Sequence, residues 1–134
     1  MKAFMLAFLA PSLTASGCTT YPGDAPIVEN GQPLPKGTPV AIGQPVWAGH
    51  VVATPMALRE DSRCPSDVQC IWAGRVVVTT RIDGPGWRQT LDMTLGESAN
   101  VRGGSLRLSD VQPQRETADA IAPAAYRFGY DSAD

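Results

Sequence analysis

The sequence lacks several features that would indicate a specific activity. His50 is its only histidine, so a serine nucleophile would have one candidate base and a zinc site would lack ligands. Basic residues form no run and the formal net charge is −2, which gives no electrostatic basis for binding nucleic acid. No apolar run approaches the roughly 20 residues that a membrane-spanning helix needs. We see no internal repeat, and we expect no cofactor and no nucleic-acid partner.

The first eighteen residues have the pattern of an export signal. Lys2 supplies a positive charge, and Ala3 to Ala10 is an unbroken apolar run of suitable length. Cys18 then follows Ala15-Ser16-Gly17, a segment that resembles the lipobox of bacterial lipoproteins, with Ala15 where leucine is usual. The resemblance implies that residues 1–17 are a signal peptide and that Cys18 carries a diacylglycerol group, which would anchor the chain in a bilayer. An ordinary secretory signal that leaves Cys18 as a free thiol is the alternative.

The expected cellular location is the bacterial cell envelope. Gram-negative lipoproteins that stay in the inner membrane tend to have Asp after the acylated cysteine, whereas Thr19 occupies that position here. The resemblance therefore implies a lipid anchor in the outer membrane, facing the periplasm. Residues 18–38 are dense in Pro, Gly and small polar residues, which is typical of a tether. Residues 39–134 remain for one folded β domain.

Apolar and polar residues alternate along much of this domain, which is typical of strands with one buried face. The clearest inward-facing sets are Val76-Val78-Thr80-Ile82, Gln89-Leu91-Met93-Leu95, Leu106-Leu108 and Tyr126-Phe128-Tyr130, with weaker patterns over Val46 to Ala53 and Met56 to Glu60. The same alternation places Arg75, Arg81 and Arg88 on outward faces. There they could recognise an anionic glycan or a carboxylate, although a solvated strand face is the simpler interpretation.

Turn-forming residues separate these runs. Asp83-Gly84-Pro85-Gly86 is the clearest hairpin connection. One helical turn is expected around Thr117 to Ile121, before Pro123. Six to eight short strands indicate an all-β fold, a small antiparallel β-sandwich or barrel with one disulfide-closed loop.

Cys64 and Cys70 are expected to form that disulfide. A pair of cysteines six residues apart in an exported protein most often oxidises, and Pro65, Ser66 and Asp67 favour a turn between them. Closing so short a loop contributes roughly 2 kcal/mol in the chain-entropy model. The spacing does not match a redox-active Cys-x-x-Cys motif or a complete metal site.

The sequence around these cysteines resembles a signature of small exported bacterial proteins of uncharacterised function. The signature runs Glu-Asp-Ser-Arg-Cys-Pro, four further residues, then Cys-x-Trp-x-Gly, and corresponds here to Glu60 to Pro65, Cys70, Trp72 and Gly74. The likeness extends loosely from Leu58 to Tyr126. It implies export and a shared fold, and it implies no particular activity.

Candidate binding residues lie in or beside the cysteine loop: Glu60, Asp61, Arg63, Trp72 and Arg75. Aromatic residues next to arginine are common anchors at interfaces. By analogy with β-sandwiches, however, Trp72 is expected to pack over the disulfide in the core. Trp87, just after the hairpin turn, is expected to be exposed.

A catalytic interpretation would use Asp61, Ser62 and His50. A serine nucleophile needs a positioned base, and His50 is the only imidazole in the chain. Because His50 lies in a β-rich stretch, we interpret it as a strand residue facing solvent or a polar neighbour. We assign no catalytic and no metal-binding residue.

The sequence thus favours a non-catalytic binding module on a membrane tether. Its expected partners are the lipid bilayer, through acylated Cys18, and an unidentified envelope protein or glycan. An inhibitor of an exported hydrolase, a small periplasmic hydrolase or metal-dependent enzyme, and a structural spacer are the alternatives.

Overall fold

Two antiparallel β-sheets make up the fold in the computed structural model, which describes residues 31–133. The first sheet has the order β1-β2-β3-β4, with β1 Val46–Ala48, β2 Val51–Asp61, β3 Val76–Gly84 and β4 Trp87–Thr94. The second has the order β5-β6-β7, with β5 Ser98–Val101, β6 Gly104–Gln112 and β7 Arg127–Ser132. The all-β class, the antiparallel pairing and the strand number confirm the sequence prediction.

The core lies between the two sheets and contains the residues that the alternation placed inward. Val78 and Ile82 of β3 and Phe128 and Tyr130 of β7 are fully or almost fully buried there. The hydroxyls of Thr80 and Tyr130 lie 2.9 Å apart, so one hydrogen bond joins the sheets through the core. Burial raises the pKa of Tyr130 well above its ordinary value, which keeps this hydroxyl protonated.

The chain enters the domain beside β1. The Leu34 amide donates to the Pro45 carbonyl at 2.9 Å, and the Leu34 carbonyl accepts from the Trp47 amide at 3.0 Å. These bonds form an isolated parallel bridge between Leu34 and Val46, so the last part of the predicted tether contacts the sheet. The predicted signal peptide, Cys18 and the rest of the tether up to residue 30 lie outside the described residues. Within residues 31–133 no helix is long and apolar enough to cross a membrane.

The predicted hairpin between β3 and β4 is confirmed. Gly84 pairs with Trp87, and Pro85 and Gly86 form the turn between them. Gly86 has a φ of 70°, the left-handed conformation that glycine adopts without strain. Trp87 was expected to be exposed, and that expectation is wrong, because its indole packs over Gly84, where a Cβ atom would lie 2.1 Å from the ring.

Arg81 was expected on a solvated face, and that expectation is also wrong. Its exposed fraction is only 8%, and its Nε atom donates to Asp83 Oδ2 at 3.2 Å. Asp83 is fully buried and also accepts from Arg88 Nε at 2.5 Å. β3 is an inner strand with β2 and β4 on either side, and its outward face is covered at Arg81 and Asp83, although Val77 and Thr79 remain partly exposed. The carboxylate two residues away supplies the counter-charge that makes burial of Arg81 tolerable.

Two smaller expectations need correction. The helical turn does not form around Thr117 to Ile121; a single 3₁₀ turn spans Pro123–Ala125 instead, because proline at the first position presets the helical φ. His50 is exposed, but it lies in the turn between β1 and β2 and not in a strand.

Replacing Asp83 with alanine is expected to destabilise the fold strongly. The change leaves Arg81 buried without its counter-charge, which typically costs about 3–5 kcal/mol of unfolding free energy. Asp131→Ala removes a carboxylate from an exposed strand position and should change that free energy by about 0.5 kcal/mol or less. Denaturant unfolding of both variants checks this, and equal losses would contradict the assigned role of Asp83.

Candidate functional site

The loop that joins β2 to β3 contains both cysteines of the described region. Cys64 and Cys70 form a disulfide with their Cα atoms 5.9 Å apart, which confirms the predicted pairing. Below it, the Ser62 amide donates to the Arg75 carbonyl at 2.8 Å, and the Arg75 amide donates to Ser62 Oγ at 2.9 Å. The ladder between β2 and β3 therefore continues one pair beyond the strands, and the ends of the loop are fixed. We call residues 62–75 the disulfide loop.

Gly74 allows the two ends of the disulfide loop to come this close. Its φ is 65°, and a Cβ atom at this position would lie 1.9 Å from the Ser62 carbonyl oxygen. Both the left-handed conformation and the close backbone approach exclude other residues without rearrangement. This explains in physical terms why glycine occupies position 74.

Asp61, the last residue of β2, lies under the disulfide loop with its side chain only 5% exposed. It pairs across the ladder with the buried Val76 and so points to the core side of the sheet. Arg63 donates hydrogen bonds to both carboxylate oxygens, from Nε to Oδ1 at 2.9 Å and from Nη2 to Oδ2 at 2.8 Å. Such bidentate, charge-assisted pairs are among the strongest polar contacts in proteins.

The connection between β6 and β7 supplies further contacts to the same residue. The Tyr126 hydroxyl donates to Asp61 Oδ2 at 2.7 Å, and Arg115 Nη1 donates to the Asp61 carbonyl at 2.7 Å. Arg63 also donates from Nη1 to the carbonyl of Val111 in β6 at 3.3 Å. Asp61 therefore holds together the end of β2, the disulfide loop, and the connection that runs from β6 to β7.

These contacts shift the pKa values of the groups involved. Burial alone would raise the pKa of Asp61, but the hydrogen bonds from Arg63 and Tyr126 and the charge of Arg63 outweigh it and lower the pKa to about 2. Burial, followed by the hydrogen bond to Asp61 and its charge, raises the pKa of Tyr126 to about 12. The hydrogen bond to Asp61 raises the pKa of Arg63. Asp61 and Arg63 are thus both charged across the physiological pH range, whereas the Tyr126 hydroxyl stays protonated and neutral.

Glu60 and Arg75 form a second pair on the outer side of the sheet. Arg75 Nε donates to Glu60 Oε2 at 2.8 Å, and Ser62 Oγ donates to Glu60 Oε1 at 3.0 Å. The bond from Arg75, and then that from Ser62, lowers the pKa of Glu60. Both charged side chains remain substantially exposed. We call Glu60 and Arg75 the polar rim at the base of the loop.

The disulfide loop also lies along the connection between β6 and β7. The Ser66 amide donates to the Arg115 carbonyl at 3.1 Å, and the Asp67 amide donates to the Glu116 carbonyl at 3.2 Å. These backbone contacts hold the loop from the side, in addition to the disulfide and the Asp61 contacts. The loop is therefore a braced element of the domain.

The tip of the loop is apolar and exposed. Ile71 is 95% exposed, Trp72 is 64% exposed and Val68 is 49% exposed. The expectation that Trp72 packs in the core is wrong. The largely buried side chains at the base of the loop are instead those of Asp61 and Arg63, which are 5% and 14% exposed. We call Val68, Ile71 and Trp72 the apolar tip.

The structure divides the predicted binding residues into two groups. Glu60 and Arg75 form the outer pair, Asp61 and Arg63 form the inner pair, and the charges in each pair neutralise one another. Only Trp72 belongs to the apolar tip. Sequence reasoning missed Arg115 and Tyr126 as site residues, because no local pattern marks them. It also missed Val68 and Ile71, although their apolar side chains in a short cysteine loop were an available clue.

The catalytic pair considered from the sequence is not assembled. His50 precedes β2 and Ser62 follows it, so the strand separates them by about 30 Å. An open cavity of about 510 Å³ lies along residues 112–121, but neither of these residues lines it. Among residues 31–133 no group of three or more His, Cys, Asp or Glu side chains is placed to hold a metal ion.

A comparison of the chain with known proteins finds no matching family model, no similar curated protein and no similar solved structure. The function is therefore inferred from the disulfide loop itself.

Replacing Asp61 with asparagine is expected to make the fold less stable and to remove a pH dependence. A carboxyl with a lowered folded-state pKa contributes stability above its unfolded pKa, and this contribution is lost as the pH falls from about 4 to about 2. We expect Asp61→Asn to cost about 2–4 kcal/mol at pH 6, and about 1–2 kcal/mol of that difference to disappear by pH 2, after allowance for solvent screening. Denaturant unfolding of the wild type and of Asp61→Asn across this pH range gives the unfolding free energy of each protein as a function of pH.

Asp67→Asn is the matched control for this experiment, because Asp67 is exposed in the same loop. It should leave both the stability and its pH profile close to wild type. A difference between wild type and Asp61→Asn that stays constant with pH would show that Asp61 is not the titrating group.

Replacing Gly74 with alanine is expected to disturb the base of the disulfide loop. Gly96→Ala is the control, because Gly96 also has a positive φ, 84°, but has open space around its Cβ position. Conformational strain alone should cost about 1–2 kcal/mol at Gly96, whereas the clash with Ser62 should add a further 1–3 kcal/mol or so at Gly74. Denaturant midpoints compare the two, and equal losses would contradict the close approach seen at Gly74.

Proposed function

We propose that this protein is a non-catalytic binding module of the bacterial cell envelope, and that the disulfide loop is its contact element. In this proposal acylated Cys18 anchors the chain in the outer membrane and the domain faces the periplasm. The observation that carries the proposal is the apolar tip, which exposes Ile71 and Trp72 on a rigid base.

An exposed tryptophan on a braced loop is suited to binding. Tryptophan is enriched among the residues that dominate interface energies, because it offers a large contact area with few rotatable bonds. Holding the loop in one conformation before binding reduces the conformational entropy lost on association. The disulfide, the backbone contacts with Arg115 and Glu116, and the Asp61 contacts all have this effect.

The charged residues of the loop support binding over catalysis. Asp61 and Glu60 are each held by an arginine and have lowered pKa values, so neither is poised to exchange protons near neutral pH. Ser62 Oγ donates to Glu60 and has no imidazole near it. These groups shape the loop that presents the apolar tip.

Inhibition of an exported hydrolase is a second candidate. The bracing of the loop favours it, since a loop that holds exposed apolar side chains in one conformation can occupy the active-site cleft of an enzyme. In that case the polar rim of Glu60 and Arg75 would meet the edge of the cleft, and Ile71 and Trp72 would occupy its floor.

A photoreactive benzophenone amino acid placed at position 72 of the full chain in living bacteria tests the proposal. We expect specific adducts on irradiation, because the apolar tip is the surface in contact with the partner. The same group placed at His50, which is exposed at the opposite end of β2, should give several-fold less adduct. Mass spectrometry then identifies the captured component.

Similar adducts from positions 50 and 72, or none from position 72, would contradict the proposal. An adduct with an exported hydrolase, linked within its active-site cleft, would favour the inhibitor over a general binding module.

A further inference from the structure

We infer that the apolar tip inserts into the surface of the bilayer to which the chain is anchored. This inference rests on the proposed function, including acylation of Cys18, and it names the partner of the same loop. It depends on where the chain enters the domain, on the chemistry of the tip and on its size.

The chain enters the domain from the side that carries the disulfide loop. Leu34 runs parallel to β1 beside Val46, and β1 runs antiparallel to β2. At Leu34 the chain, followed backwards, therefore points toward the end of β2 at Asp61. The described chain thus enters the domain in the direction of the disulfide loop.

The intervening chain is long enough for both to meet one membrane. Leu34 pairs with Val46, which in turn pairs with Ala53 of β2. From Ala53 to Asp61, β2 spans about 26 Å. The thirteen residue-to-residue steps from Cys18 to Gly31 can span at most about 45 Å. This length is sufficient for an acyl group on Cys18 to reach the level of the disulfide loop.

The chemistry of the tip suits the boundary between headgroups and acyl chains. Tryptophan is enriched at this boundary because its ring is apolar and its indole N–H is polar. From Val68 to Gly74 the sequence has no charged residue, and its main hydrogen-bonding side chains are Gln69 and the indole N–H of Trp72. Glu60 and Arg75 lie behind the tip as an exposed ion pair, at a level where headgroups and water would surround them.

The size of the tip favours a lipid surface over a protein partner. A stable protein interface buries roughly 800 Å² on each partner, more than three side chains of a narrow loop provide. A bilayer needs no such area here, because the acyl anchor already keeps the tip at a high effective concentration near the membrane. Since the formal net charge is −2, the contact is driven by apolar insertion and should not weaken with added salt.

Quenching of tryptophan fluorescence by brominated lipids tests the inference. The full chain, extracted from bacterial membranes with its own N-terminus, is reconstituted into phosphatidylethanolamine–phosphatidylglycerol vesicles with or without bromine on the acyl chains. Trp47 and Trp87 are half-buried in the domain, so Trp72 is the residue that insertion would quench. We expect a marked loss of emission in brominated vesicles at low and high salt, and none for Trp72→Phe.

A second variant keeps Trp72 as the fluorescent reporter and changes only the insertion of the apolar tip. Ile71→Asp places a charge beside Trp72 and should restore most of the lost emission. Ile42→Asp is the matched control, because Ile42 is an exposed isoleucine outside the loop, and it should leave quenching unchanged.

Equal emission of the wild type in brominated and plain vesicles would overturn the inference. If position 72 then still gives protein or glycan adducts in cells, only the bilayer inference fails and the proposed function stands. If position 72 gives no adduct either, both fail. Quenching that persists in Ile71→Asp would also overturn the inference.

Discussion

The contact on which this structure most depends is the pairing of the Asp61 carboxylate with Arg63. It lies at the end of β2, where the sandwich core ends and the disulfide loop begins. A carboxylate in such a place must be neutralised and hydrogen-bonded, and here it accepts from Arg63 in the loop and from Tyr126, which directly precedes β7. Arg63 also bonds to the Val111 carbonyl, so the same contacts join the loop to both sheets. Without them, the disulfide loop would be held only by its two ends and by its backbone bonds to Arg115 and Glu116.

Strand alternation explains why the residues from Glu60 to Arg63 have different roles. Glu60 and Ser62 point to the outer side of the sheet and bond with Arg75, whereas Asp61 and Arg63 point inward and bond with each other. Four consecutive polar residues therefore serve two separate sets of contacts, one on each face. Each face neutralises its own charge, so the loop rests on a base with little net charge.

Local patterns predicted much of the fold but little of the site. The inward residues of β3, β4, β6 and β7 followed from period-two alternation, and the cysteine pairing followed from spacing and export. Arg81 was misplaced because alternation says which way a side chain points, and not whether neighbouring strands cover that face. Trp72 was misplaced because the analogy with a core tryptophan took no account of the contacts that Arg115 and Tyr126 make with Asp61 from 54 and 65 residues away in sequence. A sequence window that contains the loop does not reveal these distant partners.

The exposure of the apolar tip follows from this arrangement and is not a default of small β domains. Isolated apolar residues are common on protein surfaces, but here an almost fully exposed isoleucine stands next to an exposed tryptophan. A loop free to move would fold such side chains against the nearest apolar surface. The disulfide, the backbone bonds to Arg115 and Glu116, and the fixed ends at Ser62 and Arg75 prevent this. The fold thus stabilises a conformation that leaves apolar surface in water, which is the arrangement expected of a surface that functions by being covered.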